Sequence, residues 1–279
     1  MKIAIIGLGF VGNALLNALK GDVEVAKIDP KLKTSIKDLK AFNPQITFIS
    51  VPTPMNKDLQ DLSILNNVIE EIKLLKIKTL VVLKSTVIPT QVESIEKELE
   101  KFVYNPEFLK ENDANSDFIK SPFIIFGGKK QPALELSDFY KKYTKCETED
   151  HVFVDAIAAS LIKYSINSFL ASKVIFFNQL FEIFSLSGSK SDWHNFIDVI
   201  AKDPRMGFSH MMVPGHDGRK GFGGACFPKD TYALYKYSES LNVDFSLLKR
   251  AIEINNKIRM SYNDVTDRES IQNIDYENS

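Results

Sequence analysis

The chain has little cysteine and almost no net charge. Only two of its 279 residues are cysteines, Cys146 and Cys226, and no charged and apolar leader precedes the first strand-like stretch. These features predict a reducing, cytoplasmic location and argue against export. The balance of 35 basic and 36 acidic residues leaves no electrostatic footprint for nucleic acid or for an anionic membrane surface. We therefore expect a small molecule or a second copy of the chain as the partner, and no metal site.

Long uninterrupted apolar runs are also missing. The most apolar region, roughly residues 152–187, is interrupted by Asp155, Lys163, Asn167, Lys173 and Asn178. The runs between these residues are well below the ~20 apolar residues that a membrane span needs. The region therefore predicts a buried, functional helix rather than a membrane-spanning one.

The first part of the chain alternates short β-branched runs with amphipathic stretches. The strand-like runs are KIAII, EVAKI, ITFIS, LVVLKS and PFIIFGG, and the helical stretches include residues 62–76 and 91–101. Such alternation implies right-handed crossovers and a mostly parallel sheet that is covered on both faces. We expect an α/β, doubly wound domain over residues 1–150.

The turn after the first strand-like run carries a phosphate-binding pattern. It reads G-x-G-x-x-G, at Gly7, Gly9 and Gly12. Glycines at these positions allow a tight turn, close approach of a pyrophosphate and close packing of the following helix. Asp29 ends the second run, where a carboxylate accepts from a ribose 2′-OH and favours NAD, although Lys31 and Lys33 keep NADP open. The pattern predicts a Rossmann-like NAD-binding domain, the alternative being a glycine-rich turn without a ligand.

Strand signals stop after residue 150. Residues 152–186 contain no Gly or Pro, enough for a helix on the order of 50 Å long. Shorter helices are expected at 191–201, 228–239 and 244–260, and the polar end of the chain reads as a frayed tail. The predicted domains are therefore an NAD-binding domain at 1–150, an all-helical domain with one long helix at 151–262, and a polar tail at 263–279.

Two polar residues of the long helix share one face. Lys163 and Asn167 are four residues apart, and Asn178 lies within about 60° of Lys163 around the helix axis. An ammonium and an amide aimed at one point suit a developing alkoxide or oxyanion. The alternative is that these residues only interrupt a hydrophobic helix and reach outward to solvent.

The stretch GFGGACFPKD, residues 221–230, holds the more informative cysteine. Its glycines permit close approach of a ligand, and Pro228 is well placed to start a helix. Cys226 would then precede a helix N-terminus, where the macrodipole favours a thiolate and hence a covalent nucleophile. Asp230 could orient water or relay a proton, but its charge disfavours the thiolate. The alternative is a small buried hydrophobe, which is also the interpretation for Cys146.

Acids and a threonine follow other strand-like runs. Glu107 and Glu111 lie in YNPEFLKEN, and Thr86 lies in LKSTVIPT. The carboxyl ends of strands form the edge at which doubly wound sheets bind ligands. Taken singly, these residues are better explained as surface acids and a helix cap.

Together these motifs resemble the UDP-glucose/GDP-mannose dehydrogenase family of nucleotide-sugar 6-dehydrogenases. The resemblance covers residues 1 to about 259 and rests on GLGFVG, VPTP, STVIP, NPEFLKE, KYSINSFLASKVIFFN, DPRMG and GFGGACFPKD, in the order of the family. It implies two successive NAD-dependent oxidations of a sugar CH2OH to a carboxylate, with UDP-glucose as the first expected substrate. Cys226 would capture the aldehyde as a thiohemiacetal, and water would hydrolyse the resulting thioester.

The resemblance also implies a role for each matched position. The implied catalytic residues are Cys226, Lys163, Asn167, Asp230, Glu107 and Thr86. The implied cofactor-binding residues are Gly7, Gly9, Phe10, Val11, Gly12, Asp29, Pro52, Thr53 and Thr86. The implied substrate-binding residues are Glu107, Phe108, Leu109, Glu111, Lys163, Asn167, Arg205, Phe222 and Gly223, with Arg205 acting across a dimer interface.

The sequence departs from the family pattern in several places. The passage PGHDGRKGFGG is longer than usual, and Gln179 and Asn112 replace the common Glu and Gly. Family members continue with a further α/β domain that closes over the nucleotide. The resemblance thus implies a homodimer through the long helix and leaves room for a second chain that supplies the nucleotide-binding domain. Two other functions stay open: a two-electron dehydrogenase of the 3-hydroxyacid or 6-phosphogluconate type, and a catalytically silent dinucleotide-binding subunit.

Overall fold

The computed structural model describes residues 1–56, 59–109 and 113–277. They form two compact units, the first made of Met1–Thr53 and Asp61–Lys163, the second of Pro54–Gln60 and Tyr164–Ser279. The strands are β1 (Lys2–Ile6), β2 (Glu24–Ile28), β3 (Ile46–Ile49), β4 (Met55–Asn56), β5 (Leu59–Gln60), β6 (Leu80–Leu83), β7 (Phe102–Tyr104), β8 (Ile124–Gly127) and β9 (His151–Val154). The helices are α1 (Phe10–Ala18), α2 (Leu39–Phe42), α3 (Ser63–Leu74), α4 (Pro89–Glu98), α5 (Ala114–Ile119), α6 (Lys130–Tyr143), α7 (Ala156–Leu186), α8 (Trp193–Ala201), α9 (Phe227–Ser240), α10 (Ser246–Arg259) and α11 (Asp267–Ile271).

The first unit contains a seven-stranded sheet in the order β2-β1-β3-β6-β7-β8-β9. The first five strands of this order are parallel, β8 pairs antiparallel with β7, and β9 is parallel to β8. The predicted mostly parallel sheet is confirmed. Because the carboxyl ends of β1, β3, β6 and β7 meet at one edge, the loops that follow them are brought together there.

Both faces of this sheet are buried. In β1, Ile3 and Ile5 belong to one hydrophobic cluster, whereas Ala4 and Ile6 belong to another. Successive side chains of a strand point to opposite faces, so the two clusters lie on opposite sides of the sheet. The doubly wound arrangement is therefore confirmed, and the near-continuous apolar runs of the sequence reflect burial on both faces.

The expectation that strands end at residue 150 is wrong. Residues 151–154 form β9, which pairs with β8 from Ile124 to Gly127. Valines and a phenylalanine are strand-favouring residues, so the local sequence HVFV supports this pairing. The long helix therefore begins at Ala156, and the Asp155 carboxylate accepts the backbone N–H of Ala158 at 2.8 Å, which caps it.

The second unit consists mainly of helices, as predicted, with the short antiparallel ladder β4–β5 in addition. Its helices α8, α9 and α10 begin and end within three residues of the expected positions. Apolar clusters of the described residues hold it together, including the following two. One contains Phe177, Trp193, Ile197, Met211 and Val213, and the other contains Ala171, Ile175, Phe222 and Ala251.

The expectation of a frayed tail is wrong for the residues that the structure describes. Residues 267–271 form α11, whose start carries a capping box of Thr266 and Glu269. Glu269 is fully buried and Tyr276 is buried at 8% exposure. The Thr-x-x-Glu pattern is a local sequence signal for the start of this helix. The buried ion pair between Glu269 and Arg259 has no such local signal, because the two residues belong to separate helices.

Helix α7 is long and apolar enough to cross a membrane by length and composition alone. One such helix is weak evidence for a span, because core helices of soluble proteins pass the same test. Its polar residues Lys163, Asn167 and Asn178 are buried and each makes a hydrogen bond within its own unit.

Candidate active site

The glycine turn after β1 has the shape of a phosphate cradle. Gly7 has φ +87°, a conformation that side chains rarely adopt, and a Cβ on Gly12 would lie 2.0 Å from the Gly7 carbonyl oxygen. A Cβ on Gly9 would meet nothing within 4 Å, so this glycine faces open space at the N-terminus of α1. Phe10 and Val11 form the first turn of α1. These residues fit a pyrophosphate at the helix N-terminus.

Asp29 joins the end of β2 to this turn. Its carboxylate accepts the Leu8 backbone N–H at 2.8 Å and the Lys31 backbone N–H at 2.9 Å. The carboxylate is therefore fixed beside the glycine turn, where it suits a ribose hydroxyl and repels a 2′-phosphate. Lys31 and Lys33 are exposed.

The loops after β3 and β6 are tied to each other. The Thr53 hydroxyl donates to the Thr86 carbonyl at 2.9 Å, and the Ser85 hydroxyl donates to the Val51 carbonyl at 2.7 Å. Thr53 is buried, Thr86 is half-buried and Pro52 is exposed. The structure thus brings Thr53 and Thr86 together at the carboxyl edge of the sheet, where the glycine turn also lies.

A buried lysine that sequence reasoning missed holds Glu107. Lys84, at the end of β6, forms a salt bridge with the Glu107 carboxylate and donates to Asn105 Oδ1 at 2.7 Å and to Tyr140 Oη at 3.0 Å. Burial lowers the pKa of Lys84, and the negative charge of Glu107 opposes this effect. The only sequence signal was a lysine directly after four apolar strand residues.

Lys163 reaches the same glutamate from α7. Its ammonium donates to the Glu107 backbone carbonyl at 2.6 Å and lies 5.0 Å from the centre of the Phe108 ring. The side chain is buried, so the solvated alternative for Lys163 is wrong. Leu109 is half-buried beside Phe108 in sequence, and Glu111 lies outside the described residues. In the first unit, therefore, two lysines contact Glu107, Lys84 at the carboxylate and Lys163 at the backbone carbonyl.

In the second unit, Asn167 and Asp230 form a buried pair. The Asn167 amide donates to Asp230 Oδ2 at 2.6 Å, and the Lys229 ammonium donates to Asp230 Oδ1 at 2.5 Å. Asp230 is fully buried. Lys229 was not predicted, and it compensates a carboxylate that burial would otherwise make costly.

Cys226 caps α9, as its position before Pro228 predicts. Cys226 is exposed, and its backbone carbonyl accepts the Asp230 backbone N–H at 2.9 Å, which is the first hydrogen bond of the helix. The buried-hydrophobe alternative is therefore wrong for Cys226. Cys146 is half-buried, and burial raises the pKa of its thiol.

The glycine loop before Cys226 is fixed by backbone contacts. Gly221 N–H donates to Asn178 Oδ1 at 3.0 Å, and Phe222 N–H donates to Asn255 Oδ1 at 2.7 Å. The Phe222 side chain is buried and lines a cavity of about 670 Å³. Gly223 lies so close to Arg259 that a Cβ would be 2.1 Å from its guanidinium.

Arg205 stands apart from these residues. Its guanidinium pairs with Asp203 two residues earlier, at 2.5 Å, and its side chain is 86% exposed. Within one chain the side chain is thus available to a partner, and a contact across a dimer interface stays a prediction. Over residues 1–56, 59–109 and 113–277, no group of three His, Cys, Asp or Glu is arranged to hold a metal ion.

Family models match both units of the chain. Residues 31–144 match the NAD binding domain of the UDP-glucose/GDP-mannose dehydrogenase family, and residues 157–257 match its central domain. UDP-glucose 6-dehydrogenase of Rickettsia bellii is 32% identical over 233 residues, which are 80% of this chain and 51% of that protein. Among the curated relatives it matches, the chain spans 51% of this one and 72% of UDP-glucose 6-dehydrogenase of Campylobacter jejuni, which is 29% identical over 91% of this chain.

Solved structures share the fold. A UDP-glucose dehydrogenase from Pyrobaculum islandicum has a TM-score of 0.75 and 27% identity, covering 92% of this chain and 68% of that one. Mycobacterium tuberculosis 3-hydroxyisobutyrate dehydrogenase has a TM-score of 0.74 at 17% identity, covering 95% of both chains, and this likeness shows the fold alone. With two family models in the expected order, the first of them an NAD binding domain, the chain belongs to the UDP-glucose/GDP-mannose dehydrogenase family.

Proposed function

We propose that the chain catalyses NAD-dependent oxidation of a nucleotide sugar at its C6 primary alcohol, with UDP-glucose as the first substrate to test. The observation that carries the proposal is the first turn of α9. Cys226 is exposed at its N-terminus, and Asp230, one turn later, is buried against Asn167. An exposed cysteine one helical turn from a fixed carboxylate and its amide partner supports this reaction.

Cys226 supplies the step that distinguishes a four-electron from a two-electron oxidation. The glycine turn and Asp29 would hold NAD, which would supply the hydride acceptor for each two-electron oxidation. In the proposed route the Cys226 sulfur adds to the C6 aldehyde, and oxidation of this thiohemiacetal gives a thioester. Water then cleaves the C–S bond, which releases the carboxylate and restores the thiol.

Lys163 and Asn167 are proposed to hold the reacting oxygen. They lie one turn apart on α7, and each is fixed by a second group, the Glu107 carbonyl for Lys163 and the Asp230 carboxylate for Asn167. Oriented donors of this kind stabilise negative charge that develops on oxygen. Asp230 is proposed to accept the proton of the attacking water, because it lies one helical turn from Cys226.

The alternatives are a two-electron hydroxyacid dehydrogenase and a silent dinucleotide-binding subunit. The fold is compatible with both, since one fold hosts many activities. The exposed Cys226 favours the nucleotide-sugar reaction, because a two-electron dehydrogenase has no thioester step for it to serve. Lys163 is buried against the Glu107 carbonyl, and Asp230 is buried against Lys229. These two contacts favour an intact site over a silent one.

The test is the yield of NADH from limiting UDP-glucose at completion. The proposal predicts about two NADH per sugar, because both oxidations pass through the same thiol. A yield of one NADH per sugar would instead support a two-electron reaction. No NADH in the presence of bound NAD, measured by calorimetry, would reject UDP-glucose as substrate and support a silent subunit.

We also propose that the chain forms a homodimer through α7 in the cytoplasm. Phe169, Phe176 and Ile183 are spaced by seven residues, so they share a face of the helix, and their exposures are 69%, 57% and 65%. Only 22% of the most apolar 18-residue window of α7 is buried within the chain. A contiguous apolar stripe of this kind supports a partner helix, here that of a second copy.

Replacement of Phe176 by glutamate is expected to shift the protein from dimer to monomer. A charge at the centre of an apolar interface loses its hydration without gaining a partner. Sedimentation velocity at fixed concentration would report the change. Leu74→Glu is the matched control, since Leu74 is 78% exposed on α3 and lies outside the stripe. An unchanged sedimentation coefficient for F176E, or a monomeric parent protein, would contradict the interface.

A further inference from the structure

The tail of the chain carries a fully buried carboxylate. Glu269 lies on α11 and is 0% exposed. One oxygen, Oε2, accepts the Thr266 backbone N–H at 2.7 Å and the Thr266 hydroxyl at 2.9 Å. The other oxygen, Oε1, is therefore the one that faces the rest of the second unit.

Three groups from separate segments converge on Oε1. The Arg259 guanidinium donates to it at 2.7 Å, the Tyr276 hydroxyl at 2.6 Å and the Gly224 backbone N–H at 3.2 Å. Burial raises the pKa of Glu269, but the hydrogen bonds from Tyr276 and Thr266 and the positive charge of Arg259 outweigh it and lower the pKa to about 2. The carboxylate is thus ionised at neutral pH.

Arg259 completes the cluster from α10. Its guanidinium is buried and also donates to the Asp217 carboxylate at 2.8 Å. Asp217 lies in the passage PGHDGRKGFGG, and Gly223 of the same passage packs so closely on Arg259 and Glu269 that a Cβ there would displace their side chains. The glycine loop therefore rests on an ion pair that joins α10 to the tail.

The contact with Gly224 holds the chain two residues before Cys226. The loop is held at Gly221 by Asn178 and at Phe222 by Asn255, and Gly224, two residues before Cys226, is held by Glu269. On the other side, Cys226 is fixed as the first residue of the α9 hydrogen-bond ladder. The backbone on the two sides of Cys226 is thus held by the helix after it and by Glu269 before it.

We propose that Glu269, with Arg259, is a positioning residue that fixes the Gly224 peptide and thereby orients the Cys226 thiol at the N-terminus of α9. The inference rests on the proposed function, because only that function gives Cys226 a step to perform. Its physical basis is that hydrogen bonds to a charged group are stronger than neutral ones and hold a glycine-rich backbone that has no side chains to anchor it.

The test measures the thiol directly, in a Cys146→Ser background that leaves one reactive cysteine. Glu269→Gln keeps the shape of the side chain and removes its charge. Asp267→Asn is the matched control, since Asp267 is an exposed carboxylate two residues earlier in the same helix. The rate constant for alkylation of Cys226 by iodoacetamide at pH 7 and the kcat and KM for NADH formation would be measured for each, with circular dichroism as the check of folding.

We expect E269Q to slow alkylation at least threefold and to lower kcat about tenfold, with the Kd for NAD unchanged, and D267N to alter none of these. An alkylation rate for folded E269Q within twofold of D267N would overturn the proposal. If E269Q does not fold, Glu269→Asp decides, since it keeps the charge but withdraws the carboxylate from the Gly224 N–H; slower alkylation supports the proposal and an unchanged rate overturns it. Slowed alkylation in a chain that makes no NADH would reject the proposed function alone.

Discussion

Replacement of Cys226 by serine is expected to lower the rate of NADH formation from UDP-glucose on the order of a thousandfold or more. The reason is chemical rather than structural, because Cys226 is exposed and its replacement leaves no cavity. A serine hydroxyl at the same helix N-terminus is not ionised near neutral pH, so it cannot replace the thiolate that forms the thiohemiacetal. Loss of a covalent nucleophile is among the costliest single changes in an enzyme.

The yield of NADH adds a second readout for this variant. Cys226→Ser should fail to reach about two NADH per sugar even at long times, because the aldehyde is not captured for the second oxidation. Cys146→Ser is the control, as Cys146 is the other thiol of the chain and packs against an apolar cluster of the first unit. Full yield at the parental rate from C226S would show that the reaction does not use this sulfur.

The features that the sequence predicted well are local ones. The glycine turn needs particular residues within a few positions, and Pro228 marks a helix start immediately after Cys226. Alternating apolar runs likewise report burial of strands on both faces. For these reasons the doubly wound unit and the placement of Cys226 followed from neighbouring residues alone.

The features that the sequence did not predict depend on partners distant in the chain. Lys84 looks like any surface lysine until Asn105, Glu107 and Tyr140 surround it in the fold. Glu269 is a similar case, since a charged residue is buried only where a counter-charge is supplied, here by Arg259 of another helix. Lys229 was missed although its partner is the adjacent Asp230, because adjacency does not show that both residues are buried. The strand β9 was missed because its apolar sequence also suits the start of a long helix, and only pairing with β8 decides between the two.

Replacement of Lys84 by methionine is expected to lower the free energy of unfolding by about 3–5 kcal/mol. The Lys84 side chain is fully buried, and its ammonium donates to Asn105, to Tyr140 and to the Glu107 carboxylate. Methionine fills similar volume but leaves the carboxylate and two acceptors without their cation. The same change should lower activity, because Glu107 also holds the Lys163 ammonium through its backbone carbonyl.

Urea unfolding followed by circular dichroism would measure this effect, and three further variants, Lys73→Met, Glu107→Gln and the double variant K84M/E107Q, identify its cause. Lys73→Met removes a lysine whose salt bridge with Glu98 is half-exposed, so it should cost less than about 1 kcal/mol. In K84M/E107Q a neutral amide replaces the Glu107 carboxylate, so this variant should be more stable than K84M. The reason is that the main penalty in K84M is the uncompensated buried charge and not the loss of the attraction. If the double variant were as unstable as the sum of the two single ones, the pair would not be coupled, and the buried lysine would stabilise the fold only through its contacts with Asn105 and Tyr140.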